Sequence, residues 1–113
     1  MHESERVKSA MKGIRRPITE RRGLHGLLPP VEGVVYDEIF AIHRDPKPGV
    51  GGAWCVTHLP TGYILCTEST KRYAQQIVAS FFLLPVPWKT RSPHVLRRYR
   101  KVIFPLRAET EKS

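Results

Sequence analysis

The fold of this chain is decided by residues 53–84, which read AWCVTHLPTGYILCTESTKRYAQQIVASFFLL. Two short runs rich in β-branched and aromatic residues, Ala53–Leu59 and Tyr63–Thr67, flank the turn sequence at residues 60–62. Because the proline there fixes φ and the glycine accepts a left-handed conformation, this pattern predicts a β-hairpin. Apolar residues at helical spacing follow from Thr70 to Leu84, and the prolines beyond them end the predicted helix.

A further strand is predicted upstream of the hairpin. The segment Val34–Arg44 is rich in β-branched and aromatic residues. Two prolines and three glycines in the following segment, residues 45–52, can continue neither a strand nor a helix and predict a loop. The chain is therefore expected to be α+β, with a three-stranded antiparallel meander packed by one helix.

A second, basic helix is expected near the C-terminus. Ser92 and Pro93 supply a cap and a proline at the first helical position. From His94 to Phe104, apolar residues alternate with a dense cluster of cations, and Pro105 ends the pattern. Only the apolar stripe of such a helix can face the domain, so the cations are expected to face solvent.

The N-terminal stretch is poor in apolar residues and is interrupted by glycine and proline. It predicts a flexible basic arm over residues 1–30 that becomes ordered on contact with a partner, followed by a single α+β domain over residues 31–113. The alternative is an arm folded over the domain, with Leu24, Leu27 and Leu28 held against its surface.

The charge is large and unevenly distributed along the 113 residues, which carry a net charge of +9. Residues 1–28 contain seven Lys or Arg against three Glu, residues 29–70 contain two against five acids, and residues 71–113 contain ten against two. Basic ends therefore flank a mildly acidic middle. This excess predicts a polyanionic partner, whereas the alternative is charge that only keeps a small protein soluble.

No arrangement of residues predicts an enzyme. The five histidines and two cysteines show no zinc-ligand spacing, because Cys55 and His58 point to opposite faces of a strand. The middle carboxylates form no acid/base pair, and the glycines after Pro48 lack the helix and lysine of a phosphate loop. We therefore expect no catalytic residue, no metal and no cofactor. No secretory signal or membrane span is evident, so we expect a cytoplasmic protein with reduced thiols.

Two stretches of the sequence resemble known groups of proteins. The order of strands, hairpin and helix over Val34–Leu84 resembles the arm-type DNA-binding domains of tyrosine recombinases, with Trp54 on the central strand, Gly62 in the hairpin and residues 70–74 opening the helix. That resemblance implies a sheet set into the major groove, although this sheet segment is mildly acidic. The pattern W-x-x-T-H-x-x-T-G, which begins at Trp54, is similar to small proteins of phages and mobile elements.

The functional prediction is a small nucleic-acid-binding accessory protein of a phage or mobile element that contacts the phosphate backbone. Guanidinium groups bind phosphate oxygens in bidentate geometry, which makes arginine-rich segments suited to that role. The alternatives are a protein-interaction module or inhibitor that docks on an acidic surface of a host protein, and an RNA-associated role. The predicted binding residues are Arg15, Arg16, Arg21, Arg22, Lys71, Arg72, Lys89, Arg91, Arg97, Arg98, Arg100 and Lys101.

Two aromatic residues, Trp54 and Tyr63, flank the predicted hairpin and are candidates for contact with nucleic acid. Exposed aromatic rings can stack on nucleic-acid bases. As cross-strand neighbours they would instead close one end of the core, and this structural role is the favoured expectation for a small sheet.

Overall fold

A computed structural model of the chain describes residues 3–44 and 53–105. The loop predicted over residues 45–52 lies outside these ranges. The described residues form, in chain order, α1 Glu3–Ala10, β1 Ile14–Ile18, β2 Arg22–Gly23, β3 Gly26–Leu27, β4 Val31–Tyr36, β5 Phe40–Arg44, β6 Trp54–His58, β7 Tyr63–Glu68, α2 Lys71–Phe82, α3 Pro93–Arg98 and α4 Arg100–Ile103. The α+β class predicted from the sequence is confirmed.

Five strands form one antiparallel sheet in the order β1-β4-β5-β6-β7, and β2 and β3 form a separate small hairpin. The predicted three-stranded meander is wrong in strand number, partly because the segment read as one strand is itself a hairpin. Asp37 and Glu38 adopt φ values of 53° and 54°. The Ile39 amide donates to the Tyr36 carbonyl at 3.0 Å. Two consecutive left-handed residues make a turn that matches the twist of antiparallel strands.

Helix α2 packs on one face of the sheet, over β5, β6 and β7. Ala74, Val78 and Phe81 are its buried residues, and their spacing places them on one stripe of the helix. Thr70 caps the helix, since its hydroxyl accepts a hydrogen bond from the Tyr73 amide at 3.1 Å. Beneath the stripe lies the larger core, which includes Tyr36, Phe40, Ile42, Val56, Trp88, Leu96 and Ile103.

The opposite sheet face is also buried. Ile18, at the end of β1, is fully inaccessible to solvent and starts a second, smaller core. That core consists of Ile18, Val35, Ala41 and Leu59, with Val31 packed against it. Since central strands β5 and β6 are buried on both faces, the sheet lies between two layers rather than exposing one face to solvent.

The chain between β1 and β4 reaches the β6–β7 turn. The Arg22 amide donates to the Gly62 carbonyl at 2.7 Å. Gly62 has a φ of 80°, and a Cβ there would come within 2.2 Å of the Glu20 carbonyl oxygen. Glycine is therefore required at this turn both by the left-handed conformation and by the close approach of the crossing segment.

The flexible arm predicted for the N-terminal region is wrong where β1 joins the sheet. Residues 14–18 pair antiparallel with β4 on the other side of the predicted boundary at residue 30. The alternative of an arm folded over the domain is closer to the observed structure, but different residues make the contacts. Leu24 is 99% exposed and Leu27 is also exposed, whereas Ile18 and Arg21 are buried.

A buried histidine links the sheet to the segment that follows α2. The Nε2–H of His58 donates to the Trp88 carbonyl at 2.5 Å, and its Nδ1 accepts from the Thr61 hydroxyl at 2.8 Å. A carbonyl oxygen only accepts, so Nε2 carries a proton, and in the neutral ring that burial favours Nδ1 is the acceptor. Burial lowers the pKa of His58 below its usual 6.5, although the bond to the Trp88 carbonyl acts in the opposite direction.

The single basic helix predicted from His94 to Phe104 is wrong, since two short helices, α3 and α4, meet at Tyr99. The predicted cap is present: the Ser92 hydroxyl accepts from the Val95 amide at 3.4 Å, and proline follows it. At the break, the Tyr99 amide donates to the Leu96 carbonyl at 2.9 Å, three residues back, which tightens the chain. Four cations around this point repel one another at helical spacing, which weakens a continuous helix.

Two isoleucines of β1 provide a matched test of the edge strand. Ile18→Ala should lower the free energy of unfolding by roughly 2–5 kcal/mol, because it leaves a cavity in the second core. Ile14→Ala, at a position that is 62% exposed, should change it by less than about 0.5 kcal/mol. Urea unfolding followed by circular dichroism measures both values. Equal effects of the two substitutions would mean that β1 is not packed as described.

The neutral state of His58 makes stability depend on pH. Because the folded-state pKa lies below the unfolded value of 6.5, the unfolded chain binds more protons just below that pH. The contribution of His58 should therefore be intact above pH 6.5 and should be lost as the pH falls below it. Denaturant unfolding across this range and an NMR titration of the His58 ring measure the effect. A His58 pKa at or above 6.5 in the folded protein would contradict it.

Candidate nucleic-acid interface

Six cations near the C-terminal end of the described chain form what we call the C-terminal basic surface. The surface is carried by the segment after Trp88 and by α3 and α4, and all six side chains are exposed. It consists of Lys89, Arg91, Arg97, Arg98, Arg100 and Lys101. Exposed guanidinium and ammonium groups of this kind are the groups that proteins use to contact phosphate oxygens.

The position of this surface is set by apolar contacts. Trp88 is buried, and its indole N–H donates to the Phe81 carbonyl at the end of α2, at 2.7 Å. Leu96 and Ile103 are buried in the core from α3 and α4. The two helices therefore turn their apolar residues inward, and the cations between those residues point to solvent.

No carboxylate neutralises the C-terminal basic surface. The sequence contains no acidic residue from Ser69 to Ala108. Within residues 3–44 and 53–105, none of the six cations forms an ion pair. A face that serves only solubility normally interleaves charges of both signs. The excess positive charge on this face is therefore available to an anionic partner.

Arg16 contrasts with that surface, because two carboxylates already hold it. One guanidinium nitrogen donates to Glu20 at 2.8 Å and to Glu38 at 2.9 Å, and a second nitrogen donates to Glu20 at 3.2 Å. These hydrogen bonds raise the pKa of Arg16, and the bond from Arg16 is the main cause of the lowered pKa of Glu20. Arg16 therefore serves to hold β1 to the β4–β5 turn, and its contact with a partner stays a prediction.

Arg21 is likewise placed for structure rather than for binding. Its side chain is only 2% exposed, and a guanidinium nitrogen donates to the Pro29 carbonyl. Its own carbonyl accepts from the Leu28 amide at 2.8 Å. Arg21 is buried, whereas its neighbour Arg22 is exposed, so the predicted contact of Arg21 with a partner is not supported by its position.

One end of the sheet carries a wide cleft of about 920 Å³. It lies where the β4–β5 and β6–β7 turns meet the β2–β3 hairpin. Its lining has both signs of charge: Arg22, Lys89 and Arg91 face Glu20, Asp37 and Glu38. Lys89 and Arg91 thus lie beside carboxylates, and the mixture of charges makes this cleft less attractive to a polyanion than the cations of α3 and α4.

The opposite end of the sheet carries a smaller groove of about 440 Å³, which we call the sheet-end groove. Val34, Ile42 and Trp54 line it with apolar surface, and three cations stand around them. These are Arg15 of β1, Arg44 of β5 and Lys71 at the start of α2. Antiparallel pairing of β5 with β6 places Arg44 opposite Trp54, so strand register brings these side chains together.

The predicted binding residues therefore fall into separate groups. Arg15 and Lys71 line the sheet-end groove, and Arg72 is exposed on α2 next to it. Arg44 was missed by the sequence analysis, although its position two residues after Ile42 puts both on one strand face. The expectation that Trp54 and Tyr63 are cross-strand neighbours is wrong. Trp54 pairs with Glu68, and Tyr63 pairs with His58.

Among the described residues, no group of three His, Cys, Asp or Glu side chains is placed to hold a metal ion. No helix within the same residues is long and apolar enough to cross a membrane. Comparison of the chain with protein-family models, with curated proteins and with solved structures gives no match.

Adjacent arginines allow a direct test of these assignments. Arg21→Ala should lower the free energy of unfolding by roughly 1–3 kcal/mol, because it removes a buried side chain and leaves the Pro29 carbonyl without that donor. Arg22→Ala removes the same charge from an exposed position and should change stability by less than about 0.5 kcal/mol. Chemical denaturation of the two variants provides the measurement. A larger loss for Arg22→Ala would reverse the assignment.

Proposed function

We propose that this chain is a nucleic-acid-binding protein that contacts the phosphate backbone through its C-terminal basic surface. The observation that carries the proposal is the exposure of six cations, none of which forms an ion pair within the described residues. Such a face releases counterions when it binds a polyanion, and this release drives backbone binding without regard to sequence.

The burial of the sheet supports contact through α3 and α4 rather than through the strands. α2 covers one face of the sheet, and the central strands β5 and β6 are buried on the other face as well. A sheet laid directly into a groove of duplex DNA needs an exposed face. The proposed contact therefore differs from the sheet-first docking that the resemblance to recombinase arm-type domains implies.

The other functional expectations stay predictions. These are the accessory role in a phage or mobile element, the cytoplasmic location and the absence of catalysis. An acidic surface on a host protein is the alternative partner for the same cations, because carboxylates and phosphates are both bound by guanidinium groups. Salt dependence separates the two partners, since only a dense polyanion releases many counterions at once.

The proposal is tested by changing Arg97, Arg98, Arg100 and Lys101 together to glutamine, which removes the charge but keeps side chains of similar length. Affinity for a short random-sequence DNA duplex should fall similarly across sequences. The slope of log affinity against log salt should decrease by about 0.9 for each lost phosphate contact, hence by about 3 to 4 in all. Fluorescence anisotropy at salt concentrations between about 50 and 200 mM measures both quantities.

The control, which we call the α1 control, removes three charges from α1 and from Lys12 just after it, outside both basic regions. Arg6→Gln, Lys8→Gln and Lys12→Gln together should leave duplex affinity close to wild type after allowance for net charge. If the control and the C-terminal variant lose the same affinity for duplex DNA, the loss is due to overall charge and not to the C-terminal basic surface. Wild-type protein that binds duplex DNA only weakly, with a shallow salt slope, would overturn the proposal and favour an acidic protein surface.

A further inference from the structure

Two of the three cations of the sheet-end groove lie over the Trp54 ring. The guanidinium carbon of Arg44 lies 5.2 Å from the centroid of the Trp54 ring, and the Lys71 ammonium lies 5.8 Å from it. A guanidinium over an indole is stabilised by the ring and still presents its N–H donors at its edge. Trp54 therefore orients two cations that come from different elements of the fold.

The groove has an unbalanced positive charge. Lys71 is the first residue of α2, where the helix dipole is positive and an acidic residue is normally favoured, yet the first turn contains no acid. Arg15 adds a third cation from β1. Glu32 lines the groove and Glu68 lies opposite Trp54, but in the part of the chain that the structure describes neither forms an ion pair with these cations.

The floor of the groove imposes a second requirement on a ligand. Val34 and Trp54, both half-buried, present apolar surface between the cations. An inorganic anion or a phosphorylated side chain would use the cations alone and would leave this surface in contact with water. A ligand that satisfies both parts carries phosphates beside a flat, weakly hydrated ring.

We propose that the sheet-end groove binds one nucleotide of a single-stranded nucleic acid, with the base against the apolar floor and its flanking phosphates on Arg15, Arg44 and Lys71. This inference rests on the proposed function and adds a strand preference to it. Duplex DNA stacks its bases inside the helix and cannot offer a base face to the floor, so the groove selects an unpaired strand. The volume of about 440 Å³ lies within the range of small-ligand sites.

The experiment compares single-stranded and duplex binding in one set of variants. Arg15→Gln, Arg44→Gln and Lys71→Gln together form the groove variant, and the α1 triple glutamine variant, which removes the same charge, is the control. Affinity of the groove variant for an oligothymidine of about eight nucleotides should fall roughly tenfold or more. Its salt slope should fall by about 1.4, since each of the two phosphates that flank the bound nucleotide contributes about 0.7. Duplex affinity should change much less.

Tryptophan fluorescence gives an independent readout. The protein has two tryptophans, of which Trp88 is buried in the core and Trp54 lines the groove. Oligothymidine should therefore quench the fluorescence of the wild-type protein, and Trp54→Phe should abolish the quenching. Circular dichroism of each variant checks that it is folded.

Each contrary outcome has a definite meaning. If the groove variant binds oligothymidine as the α1 control does, the groove assignment is overturned, and the C-terminal variant still tests the proposed function by itself. Equal loss of duplex and single-stranded affinity would overturn the strand preference. If the wild type binds neither nucleic acid, both proposals fail. Groove-dependent binding to phosphatidylserine vesicles, without binding to oligothymidine, would also overturn the assignment and point to a membrane surface.

Discussion

The hydrogen bond from His58 to the Trp88 carbonyl joins the sheet to everything that follows α2. Trp88 also packs edge-on against Phe40, with ring centroids 4.8 Å apart, and donates to the Phe81 carbonyl. A strand, a helix end and a connecting segment therefore meet at one buried indole. Because Lys89 follows directly and α3 begins four residues later, this contact also sets where the C-terminal cations lie. The buried hydrogen bond of His58 thus helps to determine where the C-terminal basic surface lies.

The structure uses its positive charge in two different ways. Arg16 is neutralised by Glu20 and Glu38, and it fixes an edge strand to a turn. The cations of α3 and α4 have no such partners among the described residues, so their mutual repulsion is retained in the folded protein. Repulsion of this kind opposes compact folding and is relieved when a polyanion binds. The same residue type therefore stabilises the fold at one position and favours binding at another.

Sequence predicted those parts of the fold that local chemistry determines. The β6–β7 hairpin follows from proline and glycine in its turn, and the caps of α2 and α3 follow from Thr70 and Ser92. The β4–β5 turn was missed because Asp37 and Glu38 occupy left-handed conformations without glycine or asparagine to signal them. Residue type likewise identified candidate cations but could not separate Arg21 from its neighbour, since burial of one and exposure of the other depend on tertiary packing.

The two basic regions are built on different parts of the fold. The sheet-end groove lies at Trp54, the first residue of β6, and the segment that leads to α3 and α4 is anchored at His58, its last residue. Exposed charges farther apart than the Debye length of about 8 Å at physiological ionic strength are largely screened from one another. Free energies of binding at the two regions should then add. A nucleic acid long enough to reach both gains from both, whereas a short one engages whichever region matches its strand state.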